Sequence, residues 1–321
     1  MIKKVAKIVF AFIWVFALTT AEASAPSAGV KSHNQSKKKV VVITGASRGI
    51  GLVTAEYLAS QGYIVYGTVR ASSDMAKLDH ACKLHKGHLF KVVVALTDGG
   101  KIQKVFDSII KEQGQIDVLI NNAGYALVGT VESCTVEEQI DLFNINYFGP
   151  VRTIQAVLPH MRERNEGMII NISSVSDISP FSPLENYSAS KFALRGLSES
   201  MAASLSPWNI KVCVVEPATI QTKETAPDLV GSRALGEPDP YGAIRNYLED
   251  SNEGQDPRDL AKLLQSIIET ASPHVRYQLG AFADEIAGKV YADPTGDEMV
   301  KSNIEYYQSV GLLPKKSVST K

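Results

Sequence analysis

The sequence predicts an open α/β fold, in which a parallel sheet lies between two layers of helices. Short runs of β-branched and other apolar residues alternate with longer amphipathic stretches over most of the 321 residues. The short runs are apolar at almost every position, as strands covered on both faces should be. Strands separated by helices form right-handed βαβ units with parallel strands. No internal repeat and no second domain boundary is evident, so we expect a single domain.

Each strand and helix is predicted from its own local pattern. The predicted strands span residues 40–44, 64–69, 89–94, 118–120, 168–172 and 212–215, and Val and Ile dominate them. Helices predicted in the segments between them include residues 52–60, 102–110, 140–161 and 188–205. The two longest helices carry apolar residues on more than one face. We therefore expect a homo-oligomer interface in addition to the core.

Composition argues against several classes of function. The net charge is −1, and no basic stripe is present to attract nucleic acid. The three cysteines, Cys82, Cys134 and Cys213, are scattered and form neither a disulfide framework nor a paired-thiol zinc motif. His80, Cys82, His85 and His88 form a small cluster, but on a helix His80 and His85 point in different directions. We interpret that cluster as a solvated helix end and predict no metal site.

The first 25 residues contain, in order, the three regions of an export signal. Lys3, Lys4 and Lys7 form a basic start, residues 8–18 are an unbroken apolar run, and residues 21–23 (Ala-Glu-Ala) offer small side chains to a peptidase. The apolar run makes about 16 Å of helix, against roughly 30 Å of bilayer hydrocarbon. We expect an exported or membrane-anchored protein. A buried N-terminal helix and a cytoplasmic location are the alternatives.

The rest of the chain divides into a linker and one domain with an irregular insertion. Residues 26–38 are small and polar, which is typical of a disordered linker, and the domain is predicted to span residues 39–321. Residues 223–257 break the alternation with four prolines and several glycines, although Pro240 predicts a short helix to about residue 248. A long irregular segment with apolar side chains is a candidate substrate lid. A plain surface insertion is the alternative.

A glycine-rich turn follows the first predicted strand and opens the first helix. The segment consists of Thr44-Gly45-Ala46-Ser47-Arg48-Gly49-Ile50-Gly51. Glycines permit a tight turn and a close approach of backbone to a pyrophosphate, which the helix N-terminus attracts. A lone glycine triplet is weak evidence, but its position directly after strand one indicates a dinucleotide site. The predicted fold is therefore a Rossmann-type, doubly wound parallel sheet.

The end of the second strand predicts which dinucleotide binds. An NAD site requires a carboxylate there for the ribose 2′-hydroxyl, whereas a 2′-phosphate requires arginine. Arg70 follows this strand, and residues 66–71 contain no acid. Arg70 and Arg48 could clamp the phosphate by charge-assisted hydrogen bonds. We predict NADP(H) in preference to NAD(H), with a pair of solvated surface arginines as the alternative.

Tyr187, Lys191 and Ser174 predict acid–base chemistry. Tyr187 and Lys191 stand four residues apart on a predicted helix and share one face of it. An adjacent cation favours the phenolate form of a phenol, which makes Tyr187 a candidate acid/base at neutral pH. Ser174 could donate a hydrogen bond to the oxygen whose charge changes. The pattern indicates reversible proton transfer to a carbonyl or alcohol oxygen.

These motifs together resemble those of the short-chain dehydrogenase/reductase family, over residues 39 to about 283. Residues 44–51 resemble the cofactor turn of that family. Residues 121–124 (Asn-Asn-Ala-Gly) resemble its asparagine-rich element after the fourth strand, which steadies the sheet and lines the adenosine side. Residues 217–222 resemble the segment that holds the nicotinamide.

The resemblance also implies roles for four side chains. Tyr187 exchanges a proton with the substrate oxygen while hydride moves to or from the nicotinamide, and Ser174 polarises that oxygen. Lys191 favours the phenolate and holds the nicotinamide ribose. Asn146 matches the relay asparagine of the family and would link Lys191 to solvent through a water. The implied reaction is hydride transfer between NADP(H) and an alcohol or ketone.

By the same resemblance, cofactor contacts are expected at a defined set of positions. They are Gly45, Ser47, Arg48, Gly49, Ile50, Gly51, Arg70, Leu96, Asn122, Ala123, Gly124, Tyr187, Lys191, Pro217, Ile220 and Thr222. The sequence departs from the family pattern at two places. Ala95 stands where many members carry an aspartate that contacts the adenine amine. Ala218 replaces the usual glycine after Pro217 and narrows the backbone choices near the nicotinamide.

Within the family, residues 65–70, residues 198–200 and the long carboxyl-terminal stretch are similar to the retinol and 17β-hydroxysteroid dehydrogenase branch. That branch implies a small lipophilic alcohol or ketone as substrate, which the apolar residues of the candidate lid suit. Two other functions stay open. One is a nucleotide-sugar epimerase or dehydratase, which usually needs a larger carboxyl-terminal domain. The other is a non-catalytic NADP(H)-binding sensor or scaffold, in which catalytic side chains tend to be lost.

Overall fold

Seven parallel strands form the central sheet of the computed structural model, which describes residues 38–221, 229–233, 235, 241, 254–292, 305, 308 and 309. From one edge to the other, the strands are β3 (Leu89–Val93), β2 (Ile64–Val69), β1 (Val40–Thr44), β4 (Val118–Asn121), β6 (Gly167–Ile172), β7 (Ile210–Pro217) and β9 (Arg276–Leu279). All neighbouring pairs are parallel. The strand order reverses between β1 and β4, which is where ligands bind in sheets of this kind.

Helices cover both faces of the sheet. On one face lie α1 (Gly49–Ser60), α2 (Ala76–Leu84) and α7 (Pro257–Glu269), and on the other lie α3 (Gly99–Gln113), α5 (Phe148–Arg164) and α6 (Glu185–Ser204). α4 (Val136–Asn146) precedes α5, and α8 (Ala281–Ala292) follows β9. Val41 and Ile43 of β1 pack in one core and Val40 and Val42 in the other, all nearly inaccessible to solvent. The predicted single α/β domain with strands covered on both faces is confirmed.

All six predicted strands are present, each within two residues of its predicted ends. Three further strands were not predicted. β9 carries Arg276, Tyr277 and Gln278, and because it lies at one edge of the sheet it lacks the apolar run of a central strand. The other two, β5 (Leu127–Val128) and β8 (Leu229–Val230), have two residues each and pair with each other.

The predicted helix over residues 140–161 is two helices. α4 ends at Asn146 and α5 begins at Phe148, with Tyr147 between them at φ −118° and ψ −59°. Pro150 explains the break, because it has no N–H and its ring clashes with the carbonyl four residues earlier, that of Asn146. The helix resumes where Val151 donates its N–H to the carbonyl of Tyr147, at 3.1 Å. Asn146 therefore stands at a helix end.

Several predictions concern residues outside the described part of the chain. These are the export segment 1–25, nearly all of the linker, Thr222 and the short helix expected from Pro240. Among the described residues, no helix has the length and apolar character needed to cross a bilayer. Where the candidate lid is described, it is not irregular throughout, since β8 pairs with β5 and Pro257 begins α7. All three cysteines are free, and the described residues contain no group of three or more potential metal ligands.

Candidate active site

The sheet topology brings the predicted site segments to one edge. The glycine turn follows β1, residues 121–124 begin at the last residue of β4, Ser174 follows β6, and Pro217 ends β7. Because these four strands are adjacent and parallel, their carboxyl ends meet at the same edge. α6 reaches this edge too, since Lys191 donates its Nζ to the carbonyl of Ile172, the last residue of β6, at 2.9 Å.

The glycine turn requires glycine at three of its positions. Gly45 and Gly49 have φ values of 74° and 55°, in the left-handed region that disfavours side chains. A Cβ placed on Gly51 would lie 2.2 Å from the carbonyl oxygen of Gly45 and 2.6 Å from Nδ2 of Asn122. The turn leads into the first turn of α1, whose N–H groups have no helical partner and favour an anion. These features fit the pyrophosphate of a dinucleotide.

Thr44 and Asn122 join the glycine turn to the end of β4. Oγ1 of Thr44 accepts hydrogen bonds from the N–H groups of Asn122 and Ala123, both at 3.0 Å. Nδ2 of Asn122 donates to the carbonyl of Thr44 at 2.8 Å. Ala123 in turn contacts the turn closely, because a Cβ on Gly45 would lie 2.9 Å from it. The two segments expected to line the adenosine and pyrophosphate therefore form one unit.

A buried chain of polar side chains fixes α6 against the sheet. Nδ2 of Asn121 in β4 donates to Oδ1 of Asn171 in β6, and Nδ2 of Asn171 donates to Oγ of Ser198, each at 2.8 Å. Thr153 of α5 donates to Oδ1 of Asn121 at 2.6 Å. Buried polar groups that are fully paired specify one arrangement of their elements. This series of hydrogen-bonded side chains sets the position of α6, and so of Tyr187, relative to the strand ends.

Arg48 and Arg70 lie at the ends of β1 and β2, as predicted for a phosphate clamp. Arg48 is half-buried and precedes the first residue of α1, while Arg70 is exposed directly after β2. Within the described ranges, neither arginine forms an ion pair with a carboxylate. The N–H of Ala46 donates to the carbonyl of Thr68 at 2.9 Å, which ties the turn to the end of β2. Both guanidinium groups are available to an anion.

Leu96 and the segment after β7 complete the predicted cofactor contacts that the structure describes. The side chain of Leu96 is buried and packs on Gly149 of α5, so only its backbone could reach a ligand. Ala218 donates its N–H to the carbonyl of Leu279 at 3.2 Å, and its φ is not positive. Alanine is therefore compatible with this backbone in place of the family's glycine. A bridge between Ile220 and Gln255 holds the segment further along.

Lys191 and Tyr187 lie side by side, as their spacing predicts. Nζ of Lys191 is 5.6 Å from the centroid of the Tyr187 ring, and the lysine is only 5 % exposed. Burial lowers the pKa of Lys191 to about 8, and the nearby carboxyl group of Asp177 opposes this shift. The ammonium is therefore still the main form at pH 7. Ser174 is half-buried, and its Oγ lies 3.1 Å from Oγ of Ser176.

Asn146 bonds to the loop after β4 and to α6. Its Oδ1 accepts the N–H of Tyr125 at 3.1 Å, and its Nδ2 donates to the carbonyl of Tyr125 at 3.0 Å and to Oγ of Ser190 at 3.1 Å. A Cβ on Gly124 would lie 3.1 Å from Oδ1 of Asn146 and 3.7 Å from Nζ of Lys191. The predicted relay asparagine and the lysine thus flank Gly124.

Sequence reasoning missed three residues near this site. Ser190 donates its Oγ to the carbonyl of Tyr187 at 2.7 Å, and the spacing of three residues on one helix was an available signal. Glu216 is fully buried, and its position as a charged residue inside the apolar run of β7 was a second available signal. Asp177 is also fully buried, but it follows a serine-rich segment with no pattern that distinguishes it from an exposed loop residue.

A family model described as short chain dehydrogenase matches residues 39–229. The chain therefore belongs to the short-chain dehydrogenase/reductase family, and it is a nicotinamide-dinucleotide oxidoreductase of the type that acts on alcohol and ketone groups. The family resemblance of the motifs and the Rossmann-type fold are confirmed.

Individual relatives cover most of the chain. The 3-ketodihydrosphingosine reductase of Bacteroides thetaiotaomicron is 36 % identical over 256 residues, which are 78 % of this chain and 91 % of that protein. Retinol dehydrogenase 8 of Bos taurus is 33 % identical over 280 residues, which are 83 % and 89 %. A short-chain dehydrogenase from Streptomyces avermitilis aligns with a TM-score of 0.73 at 31 % identity, over 86 % of this chain and 98 % of that one. A metagenomic short-chain oxidoreductase in complex with NADP aligns with a TM-score of 0.60 at 26 % identity, over 75 % and 96 %.

Proposed function

We propose that this protein transfers hydride between NADP(H) and a lipophilic ketone or alcohol, with Tyr187 as the acid and base. One observation carries the proposal. Lys191 is buried at the carboxyl end of β6, bonded to Ile172 and 5.6 Å from the ring of Tyr187, with Ser174 two residues beyond that strand end. A phenol, an ammonium and a hydroxyl at the carboxyl edge of the sheet, one strand from the switch point, form an acid–base site beside a dinucleotide crevice.

When bound, the nicotinamide supplies or accepts the hydride. Residues 45–51 would hold the pyrophosphate, residues 122–124 the adenosine side and residues 217–220 the nicotinamide side. Gly124 leaves room for the cofactor, because a side chain at this position would occupy the space beside Nζ of Lys191.

The protein's own residues move the proton. In the direction of reduction, the Tyr187 hydroxyl donates its proton to the carbonyl oxygen as that oxygen gains negative charge. Ser174 donates a hydrogen bond to the same oxygen, and the Lys191 ammonium stabilises the phenolate that remains. General acid catalysis of this kind contributes about 10²–10⁴-fold in rate. Oxidation of an alcohol uses the same groups in reverse.

Asn146 is proposed as the relay that returns the proton. It is 1 % exposed, and its hydrogen bonds hold it beside Gly124 and the Lys191 ammonium. Through Ser190 it also contacts the carbonyl of Tyr187. A water between Asn146 and Lys191 would complete a path from the buried ammonium to solvent.

NADP(H) is proposed in preference to NAD(H), because Arg48 and Arg70 flank the ends of β1 and β2 without carboxylate partners in the described part of the chain. Guanidinium groups bind phosphate by two parallel hydrogen bonds, whereas the ribose hydroxyl of NAD requires a carboxylate. The related oxidoreductase in complex with NADP supports the same choice.

The substrate class is tested by a reduction assay with purified protein. The relatives named 3-ketodihydrosphingosine reductase and retinol dehydrogenase favour a long, lipophilic substrate. With NADPH, 3-ketodihydrosphingosine and retinal are expected to be consumed faster than acetone, as followed by the loss of NADPH absorbance. Tight NADPH binding without turnover of any carbonyl would contradict the reductase and favour a sensor. Conversion of a nucleotide sugar without net loss of NADPH would favour an epimerase.

Assembly and location are proposed on separate grounds. Ile140 on α4 is 60 % exposed and Phe148 on α5 is 48 % exposed, which supports a homo-oligomer formed through these helices. Light scattering coupled to gel filtration tests this, and a monomer at micromolar concentration would contradict it. The order of charge and apolar residues in 1–25 supports export or a membrane tether. Soluble protein isolated from its host with an intact Met1 would contradict that location.

A further inference from the structure

Two carboxyl groups are fully buried next to the candidate active site. Asp177 and Glu216 are each 0 % exposed. Asp177 ends the short 3₁₀ helix Val175–Asp177, which begins directly after Ser174. Glu216 is the last residue of β7 before Pro217. The pair therefore connects the segment that carries the catalytic serine with the segment proposed to hold the nicotinamide.

One oxygen of each carboxyl group accepts a hydrogen bond and the other accepts none. Ser173 donates its Oγ to Oδ2 of Asp177, and Gln278 donates its Nε2 to Oε2 of Glu216. Oδ1 of Asp177 and Oε1 of Glu216 are buried and accept no hydrogen bond. Two carboxylates cannot bond to each other, but a carboxylic acid can donate to a carboxylate. Because the two side chains interact directly, a single proton held between them would satisfy one oxygen of each.

The charged and titratable groups that face the pair come from α6, β9 and α8. Arg195 donates Nη1 to the backbone carbonyl of Asp177 at 2.6 Å and lies 3.6 Å from its Oδ1. The same Nη1 donates to the hydroxyl of Tyr291 at 3.2 Å. Arg276 also acts on the pair, and Glu199 lies 3.6 Å from both arginines on the solvent side. With one proton bound, the pair carries a single negative charge beside Arg195.

The pair is linked to the catalytic lysine as well. Oγ of Ser173, which bonds to Asp177, lies 3.4 Å from the carbonyl of Lys191. Asp177 also acts on the Lys191 ammonium through space, where it raises the pKa of Lys191 against the effect of burial. Arg195 stands one helical turn after Lys191 on α6 and contacts the backbone of Asp177. A negative charge on Asp177 therefore acts on the Lys191 ammonium, and Arg195 ties the backbone of Asp177 to α6.

We propose that Asp177 and Glu216 share one proton and act as positioning residues, which hold the Ser174 segment against α6 and control the charge beside the Lys191 ammonium. The role in catalysis rests on the proposed function of Lys191. Neither carboxyl group touches the substrate or the reacting atoms.

The direction of the effect follows from burial. Burial first, and the charge of Glu216 second, raise the pKa of Asp177 well above its usual range, and burial raises the pKa of Glu216. Because two negative charges in so buried a pair repel each other, the pair keeps one proton at neutral pH. Loss of this proton on the alkaline side places a negative charge near Lys191, which keeps its ammonium protonated to higher pH.

Two isosteric variants and a matched control test the pair through the pH profile of kcat. Asp177→Asn mimics the protonated acid and cannot ionise, so activity at pH 7 is expected to persist. The fall in kcat at alkaline pH, which follows deprotonation of the Lys191 ammonium, is expected to move down by about one pH unit. Glu216→Gln leaves Asp177 as the only carboxylate, so the alkaline fall is expected to move up. The control is Glu199→Gln, because Glu199 contacts the same arginines from the solvent side, and this variant is expected to leave the pH profile of kcat unchanged. Profiles of both pair variants that match the wild type would overturn the proposal.

Infrared spectroscopy tests the shared proton without any turnover. The wild type at pH 7 is expected to show the C=O stretching band of a protonated carboxyl group, which Asp177→Asn removes and Glu199→Gln retains. A wild-type protein without this band, or an Asp177→Asn variant that keeps it, would contradict the proposal. A band that behaves as expected in a protein that reduces no carbonyl would refute the proposed function and leave the pair intact. If Asp177→Asn does not fold, Glu216→Gln is expected to remove the band as well.

Discussion

Replacement of Lys191 by Met is expected to abolish turnover and yet to stabilise the protein at neutral pH. The pKa of Lys191 falls from 10.5 in the unfolded chain to about 8 in the folded protein because burial penalises the ammonium. Each pKa unit corresponds to about 1.4 kcal/mol, so the buried charge costs about 3 kcal/mol at pH 7. Methionine removes this cost but leaves the carbonyl of Ile172 without its 2.9 Å partner, a loss of about 1–3 kcal/mol. The net gain in the free energy of unfolding is about 1 kcal/mol.

The pH dependence of this difference is the sharper test. The folded pKa lies below the unfolded one, so the cost is fully present below pH 8. It disappears as the pH rises towards 10.5, since the unfolded lysine then also loses its proton. The wild type should therefore gain about 1.4 kcal/mol per pH unit relative to Lys191→Met between these values. By about pH 9.5 the variant is expected to be the less stable protein.

Urea unfolding followed by circular dichroism at pH 7 and at about pH 9.5 measures both quantities. Lys86→Met, which alters an exposed lysine in the turn before β3, serves as the matched control and should show no such change with pH. A Lys191→Met variant that is clearly less stable than the wild type at pH 7 would refute the reasoning. So would a stability difference that does not change with pH.

Three further substitutions test the cofactor site and the helix that carries the acid–base pair. Arg70→Ala should weaken NADPH binding about 10- to 100-fold, which is the contribution of a charge-assisted hydrogen bond, and leave NADH binding unchanged. The control Lys86→Ala should affect the binding of neither cofactor. Equal losses of affinity for both cofactors after Arg70→Ala would contradict the phosphate role. Gly51→Ala should reduce NADPH affinity at least about tenfold, because its Cβ would lie 2.2 Å from a backbone oxygen, and titration with NADPH fluorescence measures this. A Cβ added at Gly196 on α6 meets no atom within 4 Å, so Gly196→Ala should instead raise the free energy of unfolding by about 0.5–1 kcal/mol. A loss of stability in this variant would contradict the open space around Gly196.

The fold was predictable from sequence where elements are defined by their own residues. β1 and β2 have the predicted bounds because strands buried on both faces are apolar at most positions. β9 was missed because an edge strand tolerates polar residues. The break between α4 and α5 had a local cause, Pro150, but its consequence depends on the carbonyl of Asn146 four residues earlier.

The candidate site was predictable to a smaller extent. Tyr187 and Lys191 come together through helical spacing alone, so their proximity follows from the sequence. The partners of Asn146 are Tyr125 and Ser190, which lie 21 and 44 residues away, and no local pattern identifies them. The contact between Asp177 and Glu216 likewise depends on the packing of β7 beside the Ser174 segment.

The most direct test of the acid–base site is a single-turnover experiment with Tyr187→Phe. The variant is saturated with NADPH and mixed with a ketone that the wild type reduces, and hydride transfer is followed by the loss of NADPH absorbance. We expect the dissociation constant for NADPH to change little and the rate of hydride transfer to fall by about 10²–10⁴-fold, the contribution of a general acid. A variant that transfers hydride at the wild-type rate would show that the phenolic hydroxyl is not the proton donor.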